Sequence, residues 1–240
     1  MKVRADVLVQ RRGLAESRSR AQALILAGSV IAGDHRVEKP GHLLDEFVEL
    51  RVKEQLRYVS RGGLKLEKAL DHFALPVEGR ICVDLGASTG GFTDVLLQRG
   101  ALRVHAVDVG YGQLHARLRA DARVVLHERI NARELRLPES CAAAVADVSF
   151  ISLKLVLPAL VAALRPSDAW ACVLVKPQFE AGRAEVGKGG VVRDRAIHAR
   201  VVSEIADEFR KLGLAVQGSI ESPVKGPAGN REYLVAAVRA

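Results

Sequence analysis

From residue 80 onward, short apolar runs alternate with longer segments whose apolar residues recur every three or four positions. RICVDLG predicts a buried strand, and GGFTDVLLQRG after it predicts a helix. ALRVHAVDVG, VVLHE at 124–128, AAAVADVSF at 142–150 and AWACVLVKPQF at 169–179 predict four more strands. Helices are predicted at ISLKLVLPALVAAL and at RDRAIHARVVSEIADEFRKLG, and a helix over 62–73 precedes the first strand. LAVQGSIESPV and EYLVAAVRA predict a closing pair of strands at a sheet edge. Strands and helices alternating at these lengths predict an α/β fold with a doubly wound, mostly parallel sheet.

The pattern before residue 52 is different. ADVLVQRR predicts a short helix ended by Gly13. Ser17 is a good N-cap for a second helix that stops at Gly28, with Ala21, Leu24 and Ile25 facing inward. SVIAGDHRVEKPG predicts two short strands joined by Gly33-Asp34, and FVELRV at 47–52 a third. The chain therefore divides into a small α+β block over 1–52, a polar connector KEQLRYVS over 53–60, and an α/β block over 61–240.

Charge changes this picture in one place. The 240 residues carry a formal charge of +8, and residues 1–65 hold 13 basic against 8 acidic residues. A basic front end suggests a polyanionic partner. Arg11, Arg12, Arg18 and Arg20 crowd around the start of the second helix, where cations oppose the helix dipole. With only Glu16 as a nearby acid, this arrangement is expected to be costly until an anion arrives. No apolar run reaches the roughly 20 residues that span a bilayer, and the charged N-terminus does not read as a secretory signal. A cytoplasmic protein is expected. Cys82, Cys141 and Cys172 each lie in an apolar run without metal-ligand spacing, so disulfides and a metal site are not expected.

The candidate chemistry starts at DLGASTGGF, between the first strand and its helix. This is where a Rossmann-like fold binds a nucleotide, yet neither GxGxxG nor a phosphate loop is present. Asp84 would repel a pyrophosphate and suit a cation. S-adenosylmethionine, with an ammonium and a sulfonium but no phosphate, fits. Asp84, Gly86, Ser88, Thr89, Gly90, Gly91 and Phe92 are the expected cofactor residues. Asp108 ends the second strand, where a carboxylate can accept ribose hydroxyls, and Asp147 joins them at the end of the fourth. An acid placed like Asp108 also serves NAD-binding folds, so Asp108 alone does not discriminate. DxGxxxGG with Asp108 resembles the class I methyltransferases.

Asp147-Val148-Ser149-Phe150 lacks the prolines of enzymes that methylate base amino groups, and no loop cysteine offers a covalent route. Four charges stand in telling places instead: Lys65 before the first strand, Asp147 after the fourth, Lys176 after the fifth and Glu232 before the last. Strand ends on the carboxyl side are where doubly wound sheets build their sites. Lys–Asp–Lys–Glu in this order resembles the tetrad of FtsJ-type RNA ribose 2′-O-methyltransferases. A ribose hydroxyl must lose its proton as it attacks, and a lysine crowded by another cation can take or steer that proton.

The first block, through RGLAESRSRAQALILAGSVIAGDHRVEKPG, resembles the S4-like RNA-binding domain. The resemblance implies RNA contacts at Arg4, Arg11, Arg18, Arg20 and Gln22. Both blocks together, with RGGLKL, DVSFISL, LVKPQFE and SPVKGPAGNREYL, resemble the TlyA/hemolysin A family. That resemblance implies methyl transfer to a cytidine 2′-hydroxyl of ribosomal RNA, free or in a subunit. Some members modify both subunits and others only the large one; the large subunit is the expected target here, with a monomer expected. It also implies that YVSRGG at 58–63 joins RNA binding to order in the cofactor site, with Tyr58 where some relatives carry Trp. EAGRAEVGKGGVVRD at 180–194 reads equally as a plain surface loop or as a segment that closes over RNA, with Arg183, Lys188 and Arg193 on phosphates. Two alternatives remain: an RNA-binding protein with an inactive enzyme domain, and a membrane-lysing protein. For the second the sequence offers no long apolar helix and no barrel-like run of strands.

Overall fold

Every predicted strand of the second block forms, and the order in which the strands pair fixes where a ligand can bind. The computed structural model describes residues 1–53 and 57–239; residues 54–56 of the polar connector lie outside them. The chain forms two compact units, Met1–Leu56 and Arg57–Ala240.

In the first unit, β1 (Lys2–Arg4) leads into α1 (Ala5–Arg11), followed by α2 (Arg18–Leu26), β2 (Val30–Ala32), β3 (His35–Arg36), β4 (Leu43–Asp45) and β5 (Leu50–Val52). β1 pairs with β4, while β2 is flanked by β3 and β5. The Ser17 Oγ accepts a hydrogen bond from the Arg20 amide and so caps α2. Leu8, Val9, Ala21, Leu24, Ile25, Val30 and Leu50 form the unit's core. β1 and β4 are absent from the sequence reading: each is three residues long, and neither is joined to its partner by a tight-turn pair such as the Gly33-Asp34 that marks β2 and β3.

The expected crowd of unbalanced arginines is corrected by the structure. Asp6 of α1 accepts from Arg4 and from Arg18 Nε at 3.0 Å. The turn between the two helices brings an acid twelve residues away in sequence to the start of α2. Arg12 donates to Val48 O at 2.6 Å and to Glu46 O, so it pins the turn before β5.

The second unit contains α3 (Gly62–His72), β6 (Ile81–Leu85), α4 (Gly91–Gln98), β7 (Arg103–Asp108), α5 (Ala116–Arg119), β8 (Val124–Glu128), β9 (Ala143–Ala146), α6 (Leu157–Ala162), β10 (Ala169–Val175), α7 (Pro177–Glu180), α8 (Arg195–Lys211), β11 (Ala215–Glu221) and β12 (Tyr233–Arg239). The seven strands lie in the order β11-β12-β10-β9-β6-β7-β8. β6 to β10 are mutually parallel, and β12 runs antiparallel between β10 and β11. The helix expected from residue 151 is shorter: a tight turn at Leu153–Leu155 precedes α6, which opens with Pro158 in its first turn.

Side-chain alternation along the strands loads both faces. Val83, Leu85, Ala144, Ala146, Val173 and Val175 meet Leu157 and Leu160 of α6 and Val201, Ile205 and Phe209 of α8. Cys82, Val104, Ala143, Cys172, Leu174 and Leu234 meet Leu66 and Leu70 of α3 and Phe92, Val95 and Leu96 of α4. A sheet covered on both faces needs such near-continuous apolar strands. The three cysteines are buried thiols, and burial pushes each up to about 12.

The segment just before α3 packs into this second core. Tyr58 is buried with its hydroxyl donating to Glu67 at 2.8 Å, and the Val59 amide donates to Asp94 Oδ2 at 2.8 Å. Gly91, at the start of α4, leaves no room for a side chain: a Cβ there would lie 3.0 Å from the Gly63 amide nitrogen. That close approach is what RGG and the double glycine of the turn make possible together.

Candidate active site

The strand order reverses between β6 and β9, the place where an open α/β sheet leaves a crevice at its carboxyl edge. The turn after β6 and the acid after β9 both arrive there. Gly86 sits at φ 82°, and a Cβ on it would lie 2.6 Å from the Asp147 carbonyl oxygen. Only glycine lets the two strand ends cross this closely.

Two adjoining cavities open at the crevice, of about 570 and 510 Å³. Gly86, Ser88, Asp147, Ser149 and Phe150 line both. The first also takes in Thr89, Gly91 and Phe92, and the second Asp108, Gln113 and Asn131. Gly90, at φ 97°, faces Leu114 and Leu118 instead. Asp108 receives the Ser88 amide on one oxygen at 2.8 Å and the Gly110 amide on the other at 2.7 Å.

Asp84 lines neither cavity. It is fully buried behind the turn, where Thr93 Oγ1 donates to its Oδ2 at 2.6 Å and Oδ1 has no hydrogen-bond partner. Burial, opposed by the Thr93 hydrogen bond and assisted by Asp147 and Asp108, pushes its carboxyl up to about 7. A raised folded-state value means that Asp84 contributes stability fully below the ordinary aspartate range and loses it as pH rises through about 7. Asp84→Asn should therefore flatten the fall in urea midpoint between pH 5 and 8; an unchanged slope would refute this assignment.

All four sequence-predicted charges reach the first cavity. Lys65 of α3 is 8 % exposed and donates to Glu232 Oε2 at 2.6 Å, with Asp147 Oδ2 4.0 Å away. Lys176 follows β10, is equally buried, and meets Asp147 Oδ1 at 2.6 Å. The order is Glu232, Lys65, Asp147, Lys176, alternating in sign and balanced overall. Charges this buried persist only when so paired. Glu232 Oε1 is buried without a hydrogen-bond partner, an acceptor left over inside the site.

Sequence reasoning missed several neighbours. Ser149 Oγ accepts from Lys176 Nζ at 2.7 Å. Phe150 is 91 % exposed at φ 64°, and its ring lies 5.2 Å from that of Phe179. A bulky side chain held open to solvent in the left-handed region marks strain stored at a site. An aromatic placed three residues after a strand-ending acid was the available signal. Val186 and Gly190 of the 180–194 segment line the first cavity, and buried Asn230 anchors that segment through the Val192 amide and the Gly190 carbonyl.

The turn fits S-adenosylmethionine. Three carboxylates, Asp84, Asp108 and Asp147, surround it, close enough for the other two to help raise Asp84, which suits a cationic ligand and opposes a pyrophosphate. Among the described residues, no group of histidine, cysteine and acidic side chains could hold a metal ion.

In the first unit, Arg4, Arg11, Arg18 and Arg20 are exposed and Gln22 is half-buried. Arg4, Arg18 and Gln22 converge on Asp6.

Residues 58–239 match the model of the FtsJ-like methyltransferases, and residues 3–50 that of the S4 domain. The chain is 49 % identical to the 16S/23S rRNA (cytidine-2'-O)-methyltransferase TlyA of Mycobacterium tuberculosis, across 98 % of this chain and 89 % of that one. It is 35 % identical to the 23S rRNA (cytidine-2'-O)-methyltransferase TlyA of Campylobacter jejuni, across 80 % and 74 % respectively. A solved structure of a protein named as a hemolysin from Streptococcus thermophilus is 46 % identical, with a TM-score of 0.75 over 100 % of this chain and 89 % of that one.

Proposed function

Because the chain belongs to the FtsJ-like methyltransferases, in their TlyA/hemolysin A group, and carries an S4 domain, we propose that it methylates the 2′-hydroxyl of a cytidine in ribosomal RNA. The 23S rRNA is the target, since both named relatives share that substrate. It works as a cytoplasmic monomer, with the first unit binding RNA and the second carrying out the transfer.

The observation that carries this reading is the alternating chain Glu232–Lys65–Asp147–Lys176 in one cavity beside the Gly86 turn. When bound, S-adenosylmethionine supplies an electrophilic methyl group. Gly86, Ser88, Thr89, Gly91 and Phe92 in the first cavity and Asp108 in the second would hold it; Asp84 acts from behind the turn, where Thr93 is bonded to it, and Gly90 lets α5 pack beneath.

Lys176 meets the ribose hydroxyl. It donates one hydrogen bond to Ser149 and is ion-paired with Asp147, which leaves N–H capacity for substrate. As a donor it fixes the attacking oxygen, and with Asp147 beside it the pair steers the hydroxyl's proton as the oxygen attacks. Asp147 holds both lysines at a set separation, and Glu232 braces Lys65. The exposed ring of Phe150 offers a stacking face for an unpaired base.

The test is transfer from labelled S-adenosylmethionine to unmethylated 23S rRNA, read by mass mapping of the product. A methyl group on a cytidine ribose supports the proposal; methylation of a base, or no transfer, overturns it. Calorimetry separates the binding-only alternative, which gives no heat with the cofactor. Among the described residues no helix is long and apolar enough to cross a membrane.

RNA affinity should fall steeply with salt, because each neutralised phosphate releases roughly one counterion. Filter binding between about 50 and 200 mM salt checks this; a flat profile would remove the phosphate role of the first unit.

A further inference from the structure

Asp6 has no exposed surface, although it lies one residue into α1 of a small basic unit. Its two oxygens receive five donors. Oδ1 accepts from Arg4 Nε at 3.1 Å and from the Val7 amide at 3.0 Å. Oδ2 accepts from a terminal nitrogen of Arg4 at 3.0 Å, from Arg18 Nε at 3.0 Å and from Gln22 Nε2 at 2.8 Å. Beside Arg4 above all, and with Gln22 and Arg18 also donating, the carboxyl is held well below the usual aspartate range despite its burial. It is therefore ionised wherever RNA is handled.

The way Arg18 is gripped matters. A guanidinium has one donor on Nε and four on its two terminal nitrogens, in a rigid fork. Asp6 engages Nε, leaving the terminal pair turned away from the carboxylate, and the Arg18 side chain is 51 % exposed. That is the geometry in which arginine takes a phosphate through two parallel hydrogen bonds. Arg4, 47 % exposed, keeps one terminal nitrogen, beside Gly41, that Asp6 does not engage.

We infer that Asp6 is a positioning residue for RNA recognition: without touching RNA, it aims the terminal guanidinium nitrogens of Arg18 and Arg4 at phosphates. The inference rests on the reading of the first unit as RNA-binding. Long exposed arginines otherwise spend rotamer freedom when they bind, and a buried carboxylate that fixes them beforehand moves that cost into folding. Lysine at position 18 would keep the charge but could not be held by Nε while presenting a fork.

The experiment uses the full chain, 23S rRNA transcribed in vitro and labelled S-adenosylmethionine. Asp6→Asn should raise KM for RNA about tenfold or more while kcat at saturating RNA and cofactor affinity stay within about twofold. Arg18→Lys, a substitution at an exposed side chain, should raise KM as much as Arg18→Ala. Should Asp6→Asn fail to fold, judged by its thermal transition, the Arg18→Lys result decides. Wild-type KM in Arg18→Lys, or in a folded Asp6→Asn protein, overturns the inference while the RNA-binding reading stands. Unchanged KM in both Arg18→Ala and Arg4→Ala overturns the RNA-binding reading itself.

Discussion

Lys176→Ala should reduce methyl transfer to RNA by about a thousandfold while cofactor affinity stays within about twofold. The size follows from position. Lys176 directly follows β10, lies 8 % exposed in the wall of the first cavity, and is held from two sides by Asp147 Oδ1 at 2.6 Å and Ser149 Oγ at 2.7 Å. A group so fixed contributes both proton handling and the placement of the attacking oxygen, and alanine removes both. Cofactor affinity is spared because the residues expected to hold the donor lie on the Gly86 turn and at Asp108. Ser149→Ala tests the placement separately: Lys176 keeps Asp147 but loses its second tether, so a rate loss of about tenfold is expected. Single-turnover rates with calorimetry on the same proteins measure both. A Lys176→Ala enzyme that methylates normally while binding cofactor would sink the assignment.

Glu232→Gln should cost the second unit about 3 kcal/mol of stability, because it leaves the buried Lys65 ammonium without its close partner. For a unit of this size the thermal midpoint should fall by roughly 10 °C. Asp147 Oδ2, 4.0 Å from Lys65, is too distant to replace a contact of 2.6 Å. Adding Lys65→Met to Glu232→Gln removes the stranded charge, so the double variant should regain much of the loss. Additive effects in this double-mutant cycle, read from thermal unfolding, would show that the two side chains are not a coupled buried pair.

The second unit was legible because its strands are apolar runs of four to seven residues with chemistry at their ends. Asp84, Asp108, Asp147 and Lys176 each follow or finish such a run, and a doubly wound sheet sends all those ends to one edge. Lys65 and Glu232 were legible by resemblance, since nothing local in LKLEK or GNREYL says that the two meet. Contacts made by turns rather than by periodicity stayed hidden. Asp6 reads as one more polar residue in ADVLVQ, and only the packing of α1 on α2 brings it under Arg18. Ser149 and Phe150 lie in a loop whose backbone bend has no periodic signature. Tyr58 reads as part of a polar connector, and its burial follows from the space above Gly63.

β12 enters the sheet between β10 and β11, and Glu232 sits at its leading end, 167 residues after the lysine it neutralises. During translation three members of the quartet leave the ribosome well before the fourth. Until that late strand slots in, Lys65 faces the cavity without its counter-charge. A fragment that stops before this strand therefore lacks Glu232, and the buried lysine has no carboxylate closer than the one 4.0 Å away on Asp147.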